Sequence, residues 1–153
     1  MKNGKILNIF IDTNVLANFF TGQKPDIDCL QYIFSKRKKE HLFTSSLALV
    51  QVAQVLQTGK GKKRKKFDVE QTNDCLTKLI SKFNILELSQ KDVTNSFELD
   101  PINQDVEDRV QYKISQKVNC KGIITNDISH YNNFLGIRVF SPKDIPYMKK
   151  HLN

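Results

Sequence analysis

The chain has 153 residues, 39% hydrophobic and 26% charged, which is enough apolar material for a sizeable core and excludes a wholly disordered polymer. No stretch approaches the roughly 20 apolar residues of a membrane-spanning helix. The run at Ile6–Ile11, broken by Asn8 and stopped by Asp12, is too short for a signal peptide. The formal charge of +8 is local, because ten of the 24 basic residues fall in two runs, Lys36–Lys39 and Lys60–Lys66, and without them 14 face 16 acids. Such patches suit polyphosphate partners or an anionic surface, although a solvated surface segment gives the same pattern.

Lys5–Ile11 reads as a strand apolar on both faces, as in a parallel sheet covered by helices. Asp12-Thr13-Asn14 opens a helix through Phe20 that Gly22 closes. A second helix starts after Pro25 and runs to about Lys39, with Ile27, Leu30, Ile33 and Phe34 on one face. His41–Thr44 is a short strand, and Ser45 and Ser46 are N-caps for a helix over Leu47–Gln57. Gly59-Lys60-Gly61 ends that helix and starts a basic loop over 59–66. Asp68–Lys82 is the next helix, with Val69, Cys75, Leu76, Leu79 and Ile80 as its core face. Asn84–Leu88 is a strand, Ser89 caps a helix to about Leu99, and Pro101 interrupts the chain. A helix from about Gln104 to Val118 follows, then a strand at Gly122–Thr125, a helical turn at Asp127–Phe134 and a last strand at Ile137–Phe140. The tail from Pro142 should lie over the sheet edge. The alternation predicts one layered α/β domain spanning residues 1–153 with a mainly parallel sheet.

Ligands of such sheets bind beyond the carboxyl ends of the strands. Asp12 and Asp127 both fall at that edge, and Asp105 and Asp108 start the helix between those strands, three residues apart on one face. On this reading that face continues through Tyr112 and Ser115, while Val106, Val110 and Ile114 form the buried stripe. Carboxylates that converge repel one another unless a cation neutralises them, and a hard divalent ion with oxygen ligands, Mg²⁺ or Mn²⁺, is the natural occupant. Beside a basic groove, that arrangement points to metal-assisted phosphodiester hydrolysis. Taken singly, each acid also has an ordinary role as a helix cap, a helix-terminal charge or a turn residue. His41, His130 and His151 share no metal-ligand spacing and read as surface or turn residues. Cys29, Cys75 and Cys120 are odd in number and widely spaced, so they predict buried thiols and a reducing cytoplasm rather than a disulfide framework. Gly59-Lys60-Gly61-Lys62 lacks both the preceding strand and the following hydroxyl residue of a phosphate loop.

Ile9-Phe10-Ile11-Asp12-Thr13-Asn14-Val15-Leu16 resembles the opening signature of PIN-domain proteins, the nuclease fold typified by VapC-type toxin ribonucleases. Thr44-Ser45-Ser46 with Val52-Ala53-Gln54-Val55-Leu56, Asp105-Val106-Glu107-Asp108 with Gln111-Tyr112, and Ile123-Ile124-Thr125-Asn126-Asp127 resemble the later motifs in order, over about residues 5–140. The resemblance implies a three-layer α/β/α sandwich, an acidic pocket for Mg²⁺ or Mn²⁺, and endoribonuclease activity. Asp12, Asp108 and Asp127 match metal-site acids, Asp105 lies one turn before Asp108, and Thr13 and Thr125 match supporting hydrogen-bonding positions. The second acid departs from the pattern, since Gln51 stands where a Glu is usual and no acid occurs between Glu40 and Asp68. An amide keeps the size and a carbonyl oxygen but loses the charge and the capacity to take a proton.

The resemblance thus implies either a PIN-type ribonuclease or a catalytically weakened PIN-like domain that binds RNA or protein. Lys62, Lys63, Arg64, Lys65 and Lys66 would grip the RNA backbone, and Phe19, Phe20 and Phe67 could stack bases. A toxin-like chain would also meet an antitoxin protein, or a second copy of itself, near Leu16, Phe19 and Phe20.

Overall fold

A computed structural model describes residues 7–59, 65–99 and 105–144. Five strands, β1 (Ile9–Ile11), β2 (Leu42–Ser45), β3 (Asn84–Leu86), β4 (Gly122–Ile124) and β5 (Arg138–Phe140), form one sheet in the order β3-β2-β1-β4-β5. Every neighbouring pair is parallel. Parallel pairing requires a crossover after each strand, and helices supply it. These are α1 (Thr13–Phe20), α2 (Lys24–Lys36), α3 (Ser46–Thr58), α4 (Val69–Lys82), α5 (Gln90–Ser96), α6 (Val106–Gln116) and α7 (Ile128–Tyr131).

Strand alternation divides the interior into two cores. On β1, Ile9 and Ile11 join one core with Leu16 of α1, Leu30 and Ile33 of α2, Val52 and Leu56 of α3 and Leu79 of α4. Phe10 between them faces the other core, with Val110, Tyr112 and Ile114 of α6 and Tyr131 of α7. Ile124 and Ile123 of β4 divide in the same way, so the sheet is covered on both faces. This is the three-layer α/β/α architecture that the motifs imply.

The helix boundaries follow capping chemistry. Ser45 accepts the Ala48 N–H at the start of α3, and Gly59, in the left-handed region at φ 63°, ends it. Asp68 with Gln71 and Ser89 with Asp92 form reciprocal capping boxes on α4 and α5. Pro25 occupies the first turn of α2, where its missing N–H costs no helical bond.

Several expectations shift. Strand β1 starts at Ile9 rather than Lys5, and of the earlier residues Lys5 and Ile6 lie outside those described. Helix α2 stops at Lys36 instead of Lys39, and α7 at Tyr131 instead of Phe134. Strand β3 ends at Leu86, because Leu88 gives its N–H to the Ser46 hydroxyl at 3.0 Å rather than to a neighbouring strand. Val69 and Ile80 of α4 are exposed, so its core face is narrower than periodicity alone suggests. On α6, Val106 is exposed while Gln111, Tyr112 and Ser115 are buried, because the helix is enclosed by α5, β2 and α7 together. Leu16 is wholly buried beneath α1, and Phe19 and Phe20 are half-buried in an edge-to-face ring cluster with Phe34. Phe67 likewise packs against the first core. Pro101, Gln104, the middle of the basic loop and the tail beyond Asp144 lie outside the described residues.

Burial separates Leu16 from Val69, which periodicity alone does not. Leu16→Ala should cost about 2–5 kcal/mol in urea unfolding, whereas Val69→Ala should stay within about 0.5 kcal/mol. The reverse order would place Leu16 at the surface.

Candidate functional site

The strand order sends the chain from β1 to β2 on one side and returns it to β4 on the other. A crevice therefore opens between the carboxyl ends of β1 and β4, where the direction of winding reverses. Asp12 follows β1 directly, and its N–H bonds the Ile124 carbonyl of β4 at 3.0 Å. Its Oδ1 accepts the Thr13 N–H at 2.8 Å, and its Oδ2 accepts the Thr125 hydroxyl at 2.8 Å and the Asn14 side-chain amide at 3.2 Å. The same Asn14 Nδ2 donates to Asp127 Oδ2 at 2.9 Å, so one amide holds the two carboxylates together. Thr125 Oγ1 in turn accepts the Asp127 N–H at 2.9 Å.

Asp108 enters from the first turn of α6 and is nearly buried. Tyr131 donates its hydroxyl to Oδ1 at 3.1 Å, and His130 Nδ1 lies 2.6 Å from Oδ2. Asp105 caps the helix, its Oδ1 accepting the N–H groups of Glu107 and Asp108 at 2.9 and 3.3 Å. Single ligating atoms of Asp105, Asp108 and His130 lie within 4.8 Å of one another, which makes this cluster able to chelate a divalent metal. A polar row forms the opposite wall. There the Thr13 hydroxyl donates to Gln51 Oε1 at 2.7 Å, Gln111 Nε2 approaches the same oxygen at 3.5 Å, and Ser45 donates to Gln111 Oε1 at 2.6 Å.

Asp12, Asp105, Asp108, Asp127, Thr13 and Gln51 all line one cavity of about 310 Å³, with Thr125 buried behind Asp12. Lys65 and Lys66 are exposed and do not line the cavity, and Lys62, Lys63 and Arg64 lie outside the described residues. Sequence reasoning missed four residues. His130 had read as a turn residue because its partner Asp108 is 22 positions away. Asn14 and Asn126 carried a signal in their positions beside the acids, whereas Gln111 required the packing of α6.

Burial, together with the charges of Asp108 and Asp127, pushes the Asp12 carboxyl up to about 7 from an ordinary 3.8, against the hydrogen bonds of Thr125 and Thr13. Burial and Asp105 also raise Asp108. Desolvation pulls the His130 imidazole down, but its hydrogen bond to Asp108 and the nearby carboxylates outweigh it and raise the group. Burial takes the Cys29 and Cys120 thiols up to about 12, as expected of inert core cysteines.

A family model described as the PIN domain matches residues 9–133. The chain belongs to the PIN-domain family. It is 26% identical over 131 residues to Ribonuclease VapC1 of Aquifex aeolicus (strain VF5), covering 81% of this chain and 84% of that protein. A toxin-antitoxin complex from Klebsiella pneumoniae contains a chain of the same fold, with a TM-score of 0.64 at 18% identity, covering 88% of this chain and 97% of the other. VapC20 of Mycobacterium tuberculosis, a toxin described as cleaving the sarcin-ricin loop, gives a TM-score of 0.61 at 13% identity, covering 85% of this chain and 98% of that one. Among the described residues of this PIN domain, no helix is long and apolar enough to cross a membrane.

The raised Asp12 group gives a signed prediction for the metal-free PIN domain. Between about pH 4 and 7 the native state holds a proton on Asp12 that the unfolded chain releases, so the Asp12 contribution to stability is full below that window and is lost as pH rises through it. The loss is bounded at about 4 kcal/mol, at roughly 1.4 kcal/mol per pH unit. Asp12→Asn should flatten this slope in urea unfolding with EDTA, and an unchanged slope would remove Asp12 as its source.

Proposed function

We propose that this protein is a PIN domain of weakened nuclease chemistry, which binds RNA across the acidic pocket and cleaves it slowly. The observation that carries this reading is Gln51, a neutral amide that accepts the Thr13 hydroxyl at 2.7 Å on the wall of the cavity that Asp12, Asp105, Asp108 and Asp127 also line. Asp12, Asp108 and Asp127 would hold Mg²⁺ or Mn²⁺, with Asp105 alongside. The donor chemistry fits, because the burial that raises the Asp12 carboxyl, with added repulsion from Asp108 and Asp127, is a penalty on the anion that a divalent cation offsets, and carboxylate oxygens suit a hard ion. When bound, the cation supplies water activation and charge stabilisation at the phosphate. Gln51 can orient a water through its carbonyl but cannot take its proton.

The basic run Lys62, Lys63, Arg64, Lys65 and Lys66 supports RNA as the polyanion. Helix α3 carries Gln51, Gln54 and Val55 on the cavity wall and ends at Gly59, and the basic run follows it directly in sequence. These side chains grip the backbone without reading sequence. Kinship with a VapC ribonuclease and the fold shared with a toxin-antitoxin assembly support an antitoxin protein as partner. The free thiols Cys29, Cys75 and Cys120 fit a reducing cytoplasm.

A second reading, a fully competent endoribonuclease, is favoured by the Asn14 clamp that holds Asp12 and Asp127 together. End-labelled single-stranded RNA with Mg²⁺, Mn²⁺ or EDTA separates the two. On the weakened reading wild type cuts slowly, Asp12→Asn and EDTA abolish cutting, and Gln51→Glu raises the rate roughly 10- to 100-fold. Rapid wild-type cleavage that Gln51→Glu leaves unchanged would establish the competent enzyme instead. No cutting by any variant that still binds RNA would leave a binding module alone.

Replacing Lys62, Lys63, Arg64, Lys65 and Lys66 by Ala should lower the slope of log affinity against log salt by about 3.5, at roughly 0.7 per phosphate contact on a single strand. Filter binding across a salt series reads that slope. An unchanged value would move the RNA contact elsewhere.

A further inference from the structure

Four carboxylates are buried among the described residues: Asp12, Asp26, Asp92 and Asp108. Asp12 and Asp108 belong to the pocket, and Asp92 is bonded to Ser89 and paired with Lys117. Asp26 stands apart from the cavity, in the first turn of α2, where the helix N-terminus favours an anion. Its Oδ1 accepts the Asn126 side-chain amide at 2.7 Å, across 100 residues of sequence. Asn126 in turn points its backbone N–H at Asn14 Oδ1, 3.1 Å away, with its side-chain Nδ2 at 3.4 Å from the same oxygen.

The donor and acceptor chemistry of this chain allows one orientation at each step. A carboxylate only accepts, so Asn126 must turn its NH₂ toward Asp26. A backbone N–H only donates, so Asn14 must turn its oxygen toward Asn126. That leaves the Asn14 NH₂ facing Asp12 Oδ2 at 3.2 Å and Asp127 Oδ2 at 2.9 Å. A flipped Asn14 would set an oxygen against two carboxylates.

We infer that Asp26 is a positioning residue of the acidic pocket, fixing through Asn126 the amide of Asn14 that clamps Asp12 to Asp127. The inference deepens the cation reading of the pocket and rests on it. It also assigns α2, which contributes no cavity-lining residue, a part in holding the two acids.

Mn²⁺ affinity, measured by electron paramagnetic resonance on the full chain, tests the inference in wild type, Asp26→Ala, Asp26→Asn, Asn126→Ala and the Asp26→Ala/Asn126→Ala double variant. Asp26→Ala and Asn126→Ala should each weaken Mn²⁺ binding roughly tenfold. In the Asn126→Ala background, Asp26→Ala should add nothing further. Asp26→Asn keeps an oxygen acceptor and should recover most of the affinity. In metal-free protein, the side-chain amide signal of Asn14 in ¹⁵N spectra should shift in Asp26→Ala while core methyl signals hold, a change that a purely structural Asp26 would not produce. If circular dichroism shows Asp26→Ala unfolded, Asn126→Ala and Asp26→Asn carry the comparison. An unmoved Asn14 signal with unchanged affinity, or additive losses in the double variant, would overturn the inference. A wild type that binds no Mn²⁺ would sink the cation reading by itself, and the Asn14 signal in metal-free protein would then decide the positioning.

Discussion

The Asp12 carboxylate is the constraint around which the molecule is arranged. It is buried at the end of the central strand, between β1 and β4, and a buried carboxylate is costly unless every lone pair is met. The Thr13 N–H, the Thr125 hydroxyl and the Asn14 amide meet three of its roughly four acceptor sites, drawn from the start of α1 and the end of β4. Those partners require the register Ile11 opposite Ile124, so the hydrogen-bonding demand of one side chain and the pairing of two strands agree. Even so, burial and two nearby acids leave the group titrating near neutrality.

The second half of the pocket is built by different means. Asp108 rides on α6, and its two oxygens are held by Tyr131 and His130 of α7 rather than by the sheet. The stacking of Tyr112 on Phe134 at 4.3 Å and the edge contact of Tyr131 with Phe134 tie α6 and the turn after α7 into one core. Asp12 and Asp108 therefore sit on opposite packing units, one fixed by strand register and the other by aromatic packing. The chemistry of the pocket depends on both being in place.

Much of this was legible in the residues. The apolar runs, the capping residues and the glycine and proline punctuation marked every helix and strand of the sheet in order, because local propensities and hydrophobic period are written in short windows. The carboxylates were legible because each stands at a strand end or helix start, where parallel topology sends side chains to one edge. Boundaries were less so. Strand β3 is short because the Ser46 hydroxyl takes the Leu88 N–H, a competition that no window around Leu88 reveals. Val110 and Ile114 of the expected stripe on α6 are buried, but Val106 is exposed and Tyr112 and Ser115 are buried as well, since a helix enclosed on several sides does not obey a single stripe.

The sequence by itself determined the layered parallel architecture, the acids at its carboxyl edge and the location of the basic run. These follow from residue identity and spacing, which act over a few positions. Only the tertiary structure decided that His130 meets Asp108, that Gln111 joins Ser45 to the Gln51 wall, and that Asp26 reaches Asn14 through Asn126. Those pairings join residues 22 to 112 positions apart, and their geometry is set by how helices pack on the two faces of a twisted sheet. Hydrogen bonds of that kind are directional to within a few tenths of an ångström, so the packing that creates them has to exist before they can be read.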